Sequence, residues 1–332
     1  MMSFDYSIVI RTLGNTGAKY RCMLDAIERQ TVKPAEIIVV IPEGYFLDHR
    51  IGSERIVYSG KGMVTQRAVG IQHAKSDYLL VLDDDLDFPD DFVEKLYRSM
   101  QEKELDCVLV SGNWSRIGTF TNVNQRKTPF KSKIAQVLRQ WRLAFTGQAF
   151  YSHRKSKYYD VIASTGGHRT FVNCEDGLCQ TGPFACFFIK AGVARAIGFD
   201  EDLWLEQGSV SSYAAFDDAV FFYKCFLKGG RIAYTGITGF EHLDAAIGRK
   251  TNDRLTAKRF RLYTIARNRT VFWHRYIWKN RRTLGALMGG VYGMVNYAIY
   301  NVVINFAPKN WPAIGALIQG YRDAFRLIRK PS

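Results

Sequence analysis

Residues 78–89 read YLLVLDDDLDFP, and this stretch decides the fold. The uncharged, mostly aliphatic run Tyr78–Leu82 predicts a strand that is buried on both faces, as the strands of parallel sheets are. Three consecutive carboxylates, Asp83, Asp84 and Asp85, follow it directly. The carboxyl ends of the strands form the ligand crevice in open α/β sheets, so the sequence predicts a binding site at this acidic triplet.

The residues before this strand predict alternating strands and helices. Apolar runs predict strands over Tyr6–Ile10, Glu36–Ile41 and Arg55–Tyr58, and the apolar periodicity predicts helices over Ala18–Gln30 and Val64–Ala74. Strands and helices that alternate at this spacing form right-handed crossovers and a mostly parallel sheet. The predicted fold class is therefore α/β, with a doubly wound, mostly parallel sheet.

Later segments extend this pattern towards the C-terminus. Strands are predicted over Cys107–Ser111 and Arg231–Tyr234, and a helix over Phe216–Lys228 that Gly229 and Gly230 close. The last two of these elements predict that the sheet continues after residue 182.

The chain is predicted to contain a large α/β domain and a helical extension. The α/β domain covers residues 1–248 and contains a basic insertion at 116–181, with a helix over Ile134–Phe145. Residues 249–332 form a basic, aromatic C-terminal region that starts with a helix over Thr251–Asn280. We expect the insertion and this C-terminal region to carry the specificity of the protein.

The composition and charge of the chain exclude some classes of protein and indicate the kinds of partner that it could bind. The 332 residues are 47% hydrophobic and 23% charged, which excludes intrinsic disorder. The net charge is +15, and two stretches hold the excess: residues 116–159 have ten Lys or Arg and no acid, and residues 249–282 have twelve against one acid. Such a surface suits nucleic acid, anionic lipid headgroups or a phosphorylated substrate, and charge alone does not choose among them. No recognised nucleic-acid-binding module occurs, so we expect no nucleic-acid partner.

Residues 284–307 form an uncharged stretch of 24 residues near the C-terminus. Three interpretations stay open: a membrane-spanning helix, a core or dimer helix, and a helix that lies in the membrane interface. The amphipathic, basic tail Ile314–Lys330 favours the interface. No secretory signal is visible at the N-terminus, so the expected location is cytoplasmic, peripheral at the inner face of the cell membrane.

Six segments of the sequence together resemble family-2 glycosyltransferases, of the type that builds polysaccharides. They are SIVIRTLGNTGAKYRCMLDAIERQTVKPAEIIVV, GMVTQRAVGIQHAKSDYLLVLDDDLDFPDDFV, GPFACFFIKAGVARAIGFDEDLW, AFDDAVFFYKCFLKGGRIAYTG, FEHL and LYTIARNRTVFWHRY. The resemblance covers residues 6–110 and 182–275 and leaves 116–181 unmatched. It implies a GT-A fold, a nucleotide-sugar donor, a divalent metal (Mn²⁺ or Mg²⁺), inversion at the sugar carbon, and a glycan or lipid-linked acceptor.

The resemblance also assigns the metal-side residues. It implies that Asp85 holds the metal beneath the diphosphate and that His242, in Phe240-Glu241-His242, completes the metal site or contacts the diphosphate. A structural histidine is the alternative for His242. The resemblance implies that Asp83 contacts the ribose side of the donor and also ligates the metal. Asp84 is the second choice, and it is also predicted to bind the donor. The competing interpretation of the triplet is a solvated acidic turn that caps the next helix.

A second acidic pair carries the catalytic base in this resemblance. Asp218 matches the base, and Asp217 stands where the family usually has Glu. A base is needed because an acceptor hydroxyl is a poor nucleophile until its proton is removed. Either carboxylate could instead serve only to cap the helix that follows.

Four further donor-binding residues are predicted with less support from the motif. Arg67 matches a position that faces the donor phosphates or the aspartate cluster, with a plain surface arginine as the alternative. Glu43 is the nearest acid after the second strand, where relatives place a residue that contacts the nucleobase. Thr12 and Leu13 are placed by position alone, in the loop after the first strand.

Two other functions remain open at the sequence level. A nucleotidyltransferase would use a similar sheet, but it favours a glycine-rich, basic loop after the first strand, and here only Arg11 is charged in Arg11–Gly17. A non-catalytic basic module that binds membrane or nucleic acid is the third hypothesis.

Overall fold

The structure is a computed structural model whose described residues are 4–110, 137, 141, 156–171, 174–237, 239–243 and 254–329. The chain divides into two compact units. The first unit comprises residues 1–115, 177–203 and 224–249, and the second comprises residues 116–176, 204–223 and 250–332. The predicted domain boundary at 248/249 lies outside the described residues. So does most of the predicted insertion helix, of which Val137 and Trp141 are described and helical.

The described strands are two to seven residues long. In chain order they are β1 (Tyr6–Arg11), β2 (Glu36–Pro42), β3 (Glu54–Ser59), β4 (Tyr78–Leu82), β5 (Leu86–Asp87), β6 (Cys107–Val110), β7 (Ser156–Ile162), β8 (His168–Thr170), β9 (Cys174–Cys179), β10 (Cys186–Lys190), β11 (Ile232–Thr235) and β12 (Glu241–His242).

The sheet of the first unit has the strand order β3-β2-β1-β4-β10-β6-β11. Strands β1 to β4 pair in parallel, as do β6 and β11, which confirms the predicted mainly parallel α/β sheet. Strand β10 differs, because it runs antiparallel to both β4 and β6. Its sequence, CFFIK, is a continuous apolar run like those of its neighbours, and such a run carries no information about strand direction.

Four helices of the first unit are described, and the first two of them lie close to the predicted positions. They are α1 (Ala18–Glu28), α2 (Met63–His73), α3 (Phe92–Glu102) and α4 (Ala191–Ile197). Helix α2 lies directly on the sheet at Gly70, where an added Cβ would be 2.4 Å from Val9 Cγ1. This close approach fixes α2 on β1 and brings Gln66 and Arg67, one turn earlier, to the carboxyl ends of the strands. The Gln66 amide there donates to the carbonyl of Val40, in β2.

The second unit contains most of the C-terminal helices. Helix α5 (Asp217–Leu227) begins in it, followed by α6 (Arg254–Phe272), α7 (Leu284–Ile304) and α8 (Trp311–Arg329). Helix α6 continues through a π-helical segment, Trp273–Trp278. Helices α6, α7 and α8 share a small apolar core formed by Leu262, Ala266, Tyr297, Ala313 and Leu317.

The basic charge of helix α6 is only partly at the surface. Arg267 and Arg269 are 1% and 7% exposed, and both donate hydrogen bonds to backbone carbonyls. The sequence suggested an amphipathic helix with its cations in solvent. Instead, these two arginines belong to the interior of the unit, and the surface charge of this region is lower than the sequence count indicates.

Helix α7 has an unusual distribution of small and large residues. Three of its four glycines, Gly289, Gly290 and Gly293, face the chain: an added Cβ at Gly290 would be 2.0 Å from the Trp273 ring, and one at Gly293 would be 2.8 Å from the Thr165 carbonyl. Its large apolar side chains are exposed, namely Leu284, Leu287, Met288, Val291, Val295, Ile299, Val302, Val303 and Ile304. Within the described part of the chain, α7 alone is long and apolar enough to cross a membrane: a stretch of 18 residues in it has a mean hydropathy of 1.3, and 22% of that stretch is buried. Such low burial argues against the core-helix interpretation.

Candidate active site

The acidic triplet follows β4 immediately, and its three carboxylates have three different sets of partners. Asp83 is fixed through its backbone, whose N–H donates to the carbonyl of Ala185 at the start of β10. Its Oδ1 lies 3.0 Å from Arg67 Nη2 and 2.9 Å from Arg11 Nη2. Arg67 is 1% exposed and stacks over the Phe184 ring at 4.5 Å, so it is not a surface arginine. Two guanidinium groups therefore offset the charge of Asp83.

Asp84 ties the triplet to the loop after β1. Its Oδ2 accepts hydrogen bonds from the hydroxyls of Thr12 and Thr16. Thr12 is held in turn by Gln66, whose amide donates to the Thr12 carbonyl at 2.8 Å. The structure thus places Thr12 beside the triplet, whereas Leu13 is half-buried in the same loop.

Asp85 pairs with His242 across a two-stranded ribbon. Strand β5 runs antiparallel to β12, with Leu86 opposite His242, and the Leu243 N–H donates to the Asp85 carbonyl. The ribbon places His242 Nε2 at 2.9 Å from Asp85 Oδ1. Two residues that are 157 positions apart in the sequence are brought into contact in this way.

The charges around this pair shift both of its pKa values. Burial raises the pKa of Asp85, but the hydrogen bond and charge of His242, together with Lys19 and Arg11, outweigh burial, so the pKa lies below its usual value. The hydrogen bond that His242 donates to the Asp85 carboxylate is the main reason that the pKa of His242 is raised, and burial opposes it. The carboxylate is therefore held ionised, as a metal ligand must be.

The Asp85–His242 pair fits a divalent ion that takes its other ligands from a substrate. Asp85 Oδ1 and His242 Nε2 lie 2.9 Å apart, which is an ordinary hydrogen-bond distance. Both atoms could ligate one ion once the imidazole gives up the proton that its raised pKa favours. Within the described residues there is no group of three His, Cys, Asp or Glu side chains that would hold a metal alone. Mg²⁺ is commonly bound by one or two protein ligands plus phosphate oxygens and waters, so a pair is sufficient.

Asp83 is less suited to the metal than the sequence prediction implies. Its Oδ1 is occupied by Arg11 and Arg67, and it is Asp85 that contacts His242. The arrangement favours a role for Asp83 on the donor side, where it also orients the two arginines.

Glu43 lies at the carboxyl end of β2, where the prediction places it. Its side chain is exposed, and its backbone N–H donates to the Ser59 carbonyl at the end of β3. Position alone supports its assignment to the nucleobase.

The second acidic pair begins helix α5, in the second unit. Asp217 is buried, with only 7% of its surface exposed, whereas Asp218 is half-buried. The Oδ1 atom of Asp218 accepts a hydrogen bond from the Ala219 N–H at 2.7 Å. Phe216, directly before them, has a φ of 77°. Negative side chains are stabilised at a helix N-terminus by the helix dipole. Of the two acids, Asp218 is the more accessible to a substrate.

Sequence reasoning missed three residues around the triplet. Arg11 was noted only as the charged residue of its loop, yet it binds Asp83. Thr16 binds Asp84, and Lys19 contributes positive charge near Asp85. A clue was available for all three, since they lie within nine residues of the end of the first predicted strand.

Comparison with known proteins agrees with this geometry. Residues 55–161 match the sequence family described as Glycosyl transferase family 2, and the match contains the acidic triplet. No curated protein matches the chain.

Two solved structures to which the chain is similar are those of TarS and GalNAc-T7. The crystal structure of S. aureus TarS 1-349 is 12% identical, with 99% of this chain and 93% of that chain covered and a TM-score of 0.43. The crystal structure of GalNAc-T7 with UDP, GalNAc and Mn²⁺ is 12% identical, with 90% of this chain and 55% of that chain covered and a TM-score of 0.51. The second comparison supports the assignment of the fold.

The mainly parallel sheet, the acidic triplet at its carboxyl edge and the family match define this chain as an enzyme, a glycosyltransferase with a GT-A fold. The match covers about a third of the chain and agrees with the resemblance to glycosyltransferase family 2 seen in the sequence. The family match spans residues 55–161, so residues 6–54 and 182–275 lie outside the matched part.

Proposed function

We propose that the protein is a metal-dependent, inverting glycosyltransferase that transfers a sugar from a nucleotide-sugar donor to a glycan or lipid-linked acceptor in the synthesis of a cell-surface polysaccharide. The observation that carries the proposal is the Asp85–His242 contact directly after β4, with its ionised carboxylate. GalNAc-T7, of similar fold, has been crystallised with UDP, GalNAc and Mn²⁺, which agrees with the proposed donor and metal.

On the donor side, the three residues of the triplet have different roles. Asp85 and His242 hold Mn²⁺ or Mg²⁺, which when bound neutralises charge on the leaving nucleoside diphosphate. Asp83 contacts the ribose side of the donor, while the guanidinium groups of Arg11 and Arg67 supply positive charge for the phosphates. Asp84, through Thr12 and Thr16, keeps the loop after β1 in place.

On the acceptor side, Asp218 acts as the general base. It takes the proton of the acceptor hydroxyl while that oxygen forms a bond to the anomeric carbon of the sugar. The bond from this carbon to the diphosphate oxygen breaks in the same displacement, and the nucleoside diphosphate leaves with the electron pair. One displacement inverts the anomeric configuration. Asp217 is the alternative base.

The proposed activity is tested with the wild-type enzyme after removal of divalent metal by a chelator. UDP-, GDP- and dTDP-sugars are first screened by thermal shift with Mn²⁺, because a specific ligand raises the apparent stability. Release of nucleoside diphosphate from the stabilising donor is then measured with and without Mn²⁺. We expect turnover that needs Mn²⁺ or Mg²⁺, and full activity in excess chelator would contradict the metal role. Pyrophosphate release from a nucleoside triphosphate and a sugar phosphate would instead support the nucleotidyltransferase.

We also propose that the outward face of α7 lies in the surface of the cytoplasmic membrane. A helix of a water-soluble domain normally turns its large apolar residues towards the core. Helix α7 does the reverse, with glycines packed inside and large apolar residues such as Val295 and Ile299 about half exposed. Exposed cations flank it, Lys279 on one side and Lys309 on the other, which complements anionic headgroups. A peripheral enzyme at the inner face of the membrane would meet a lipid-linked acceptor there.

Flotation with liposomes tests this membrane face. The wild-type protein is expected to float with vesicles that contain anionic lipid and to bind less at high salt, since salt screens surface charge. Lys279→Gln combined with Lys309→Gln should weaken binding roughly 30-fold, because each cation near an anionic surface contributes about 1 kcal/mol. Val295→Glu with Ile299→Glu should abolish flotation.

A control is Phe46→Glu, which replaces an apolar side chain by a carboxylate at a position that is 79% exposed in the first unit. It should leave flotation unchanged. If the wild-type protein is instead a stable dimer in lipid-free solution, and Val295→Glu with Ile299→Glu makes it a monomer, then the face binds a second copy of the chain and the membrane proposal is wrong.

A further inference from the structure

The turn that precedes the proposed base is conformationally unusual. Phe216 has a φ of 77°, in the left-handed region that a bulky aromatic residue rarely adopts. The turn is closed by the Asp217 N–H, which donates to the Ala214 carbonyl at 3.0 Å. Such a conformation persists only where the surrounding structure fixes it. The residues that fix it therefore control how α5 begins.

Asn268 of helix α6 contacts this turn from inside the second unit. Its side chain is fully buried, and its Nδ2 donates to the Ala215 carbonyl at 2.9 Å. Its Oδ1 accepts from Arg267 Nη1 at 2.6 Å. A guanidinium can only donate and a carbonyl can only accept, so the two contacts together permit one orientation of the amide. Asn268 is thus locked between Arg267 and the turn.

Arg267 is anchored on the segment that leads towards the same turn. It is 1% exposed, and its Nη2 donates to the carbonyls of Trp204 and Gln207, at 2.5 and 3.2 Å. The guanidinium also lies over the Trp204 ring, at 5.8 Å. An aromatic contact supports the turn as well, since the rings of Phe216 and Phe272 are 6.1 Å apart. Burial of a charged group is costly, so this arrangement needs its hydrogen bonds to the backbone.

We infer that Arg267 and Asn268 are positioning residues, which hold the 214–216 turn so that the first turn of α5 presents Asp218 in its reactive orientation. The inference rests on the proposed function, because it assigns the pair to the base. The two residues act through the backbone of the turn and have no role in binding the donor.

The test compares Asn268→Ala with Asn301→Ala. Asn301 is also buried, in α7, and its Nδ2 donates to a carbonyl of its own helix, that of Tyr297, at 2.8 Å. Both variants lose a buried amide, so both should lower Tm, but only Asn268→Ala removes a contact with the turn. We expect Asn268→Ala to lower kcat about 10- to 100-fold, since small misplacements of a catalytic group have effects of this size. The KM for the donor should stay within about twofold of wild type, and Asn301→Ala should keep the wild-type kcat.

Hydrogen exchange and a double-mutant cycle separate positioning from loss of stability. The amides of residues 217–220 should exchange faster in Asn268→Ala and not in Asn301→Ala. In an Asp218→Asn background, Asn268→Ala should have little further effect on kcat, because both changes affect one group. Arg267→Lys provides a second variant that keeps the charge but lacks the fork that joins Asn268 to the two carbonyls, and we expect an intermediate kcat.

Two results would overturn the positioning role: unchanged exchange at residues 217–220 in Asn268→Ala, or an equal loss of kcat in Asn301→Ala. Failure of the part of the proposed function on which the inference rests, Asp218 as the base, would look different. Asp218→Asn alone would then retain the wild-type kcat, and the effect of Asn268→Ala on kcat would persist in full in that background. That persistence would also refute positioning through Asp218.

Discussion

Asp218→Asn is expected to lower kcat by about 10²- to 10⁴-fold, the range that a positioned general base contributes. The amide is nearly isosteric with the carboxylate but cannot take the acceptor proton at neutral pH. It can still accept the hydrogen bond from the Ala219 N–H, so helix α5 should begin as it does in the wild type. The donor dissociation constant, measured by titration with the nucleotide-sugar, should change little. The variant should therefore bind donor and transfer almost no sugar.

Asp217→Asn is the matched comparison, because it makes the same change one residue earlier. Asp217 is buried, so this substitution should affect stability more than chemistry. If Asp217→Asn loses the larger part of kcat and Asp218→Asn does not, the base is Asp217. Wild-type turnover in both variants would remove the second acidic pair from the mechanism.

Asp85→Asn is expected to reduce donor turnover by roughly 10²- to 10³-fold, because several kcal/mol of charge stabilisation depend on the bound ion. The Asn side chain keeps an oxygen for His242 but lacks the negative charge that holds a divalent cation. A readout apart from activity is the increase in Tm that Mn²⁺ and nucleoside diphosphate produce together. This increase should nearly disappear in Asp85→Asn and shrink in His242→Ala.

Glu241→Gln controls for charge removal beside the site. Glu241 lies next to His242 in β12 and is exposed, so its substitution should leave both turnover and the Mn²⁺-dependent increase in Tm unchanged. Equal losses in Asp85→Asn and Glu241→Gln would mean that general electrostatics, and not a metal at Asp85, explains the effect.

The sequence predicted the local elements of the sheet closely. The helix over Val64–Ala74 is observed at Met63–His73, and the strand Tyr78–Leu82 has the predicted bounds. These elements are specified by the apolar pattern of contiguous residues, which is read without knowledge of the partner. Strand direction is a property of the pair, and the antiparallel β10 was not predicted for that reason.

The candidate site was predicted in its residue types and only partly in its contacts. Position after a buried strand was enough to select Asp83, Asp84 and Asp85. The division of the three carboxylates among arginines, threonine hydroxyls and His242 depends on loops that meet only in the folded chain. Burial of Arg267 was also invisible, because a cation at one position of a helix gives no sign of the carbonyls around it.

The long separation between the two strands of the β5–β12 ribbon has a consequence for biogenesis. A ribosome adds about 5–20 residues per second, so His242 is made roughly 8–30 s after Asp85. The early strands β1 to β4 can pair within the first hundred residues, yet the emerging chain lacks the partner of Asp85 throughout this interval. Nascent chains that stop before residue 242 are thus expected to contain a partly formed sheet without the proposed metal site. Competence for transfer would be acquired only after residue 242 has been made.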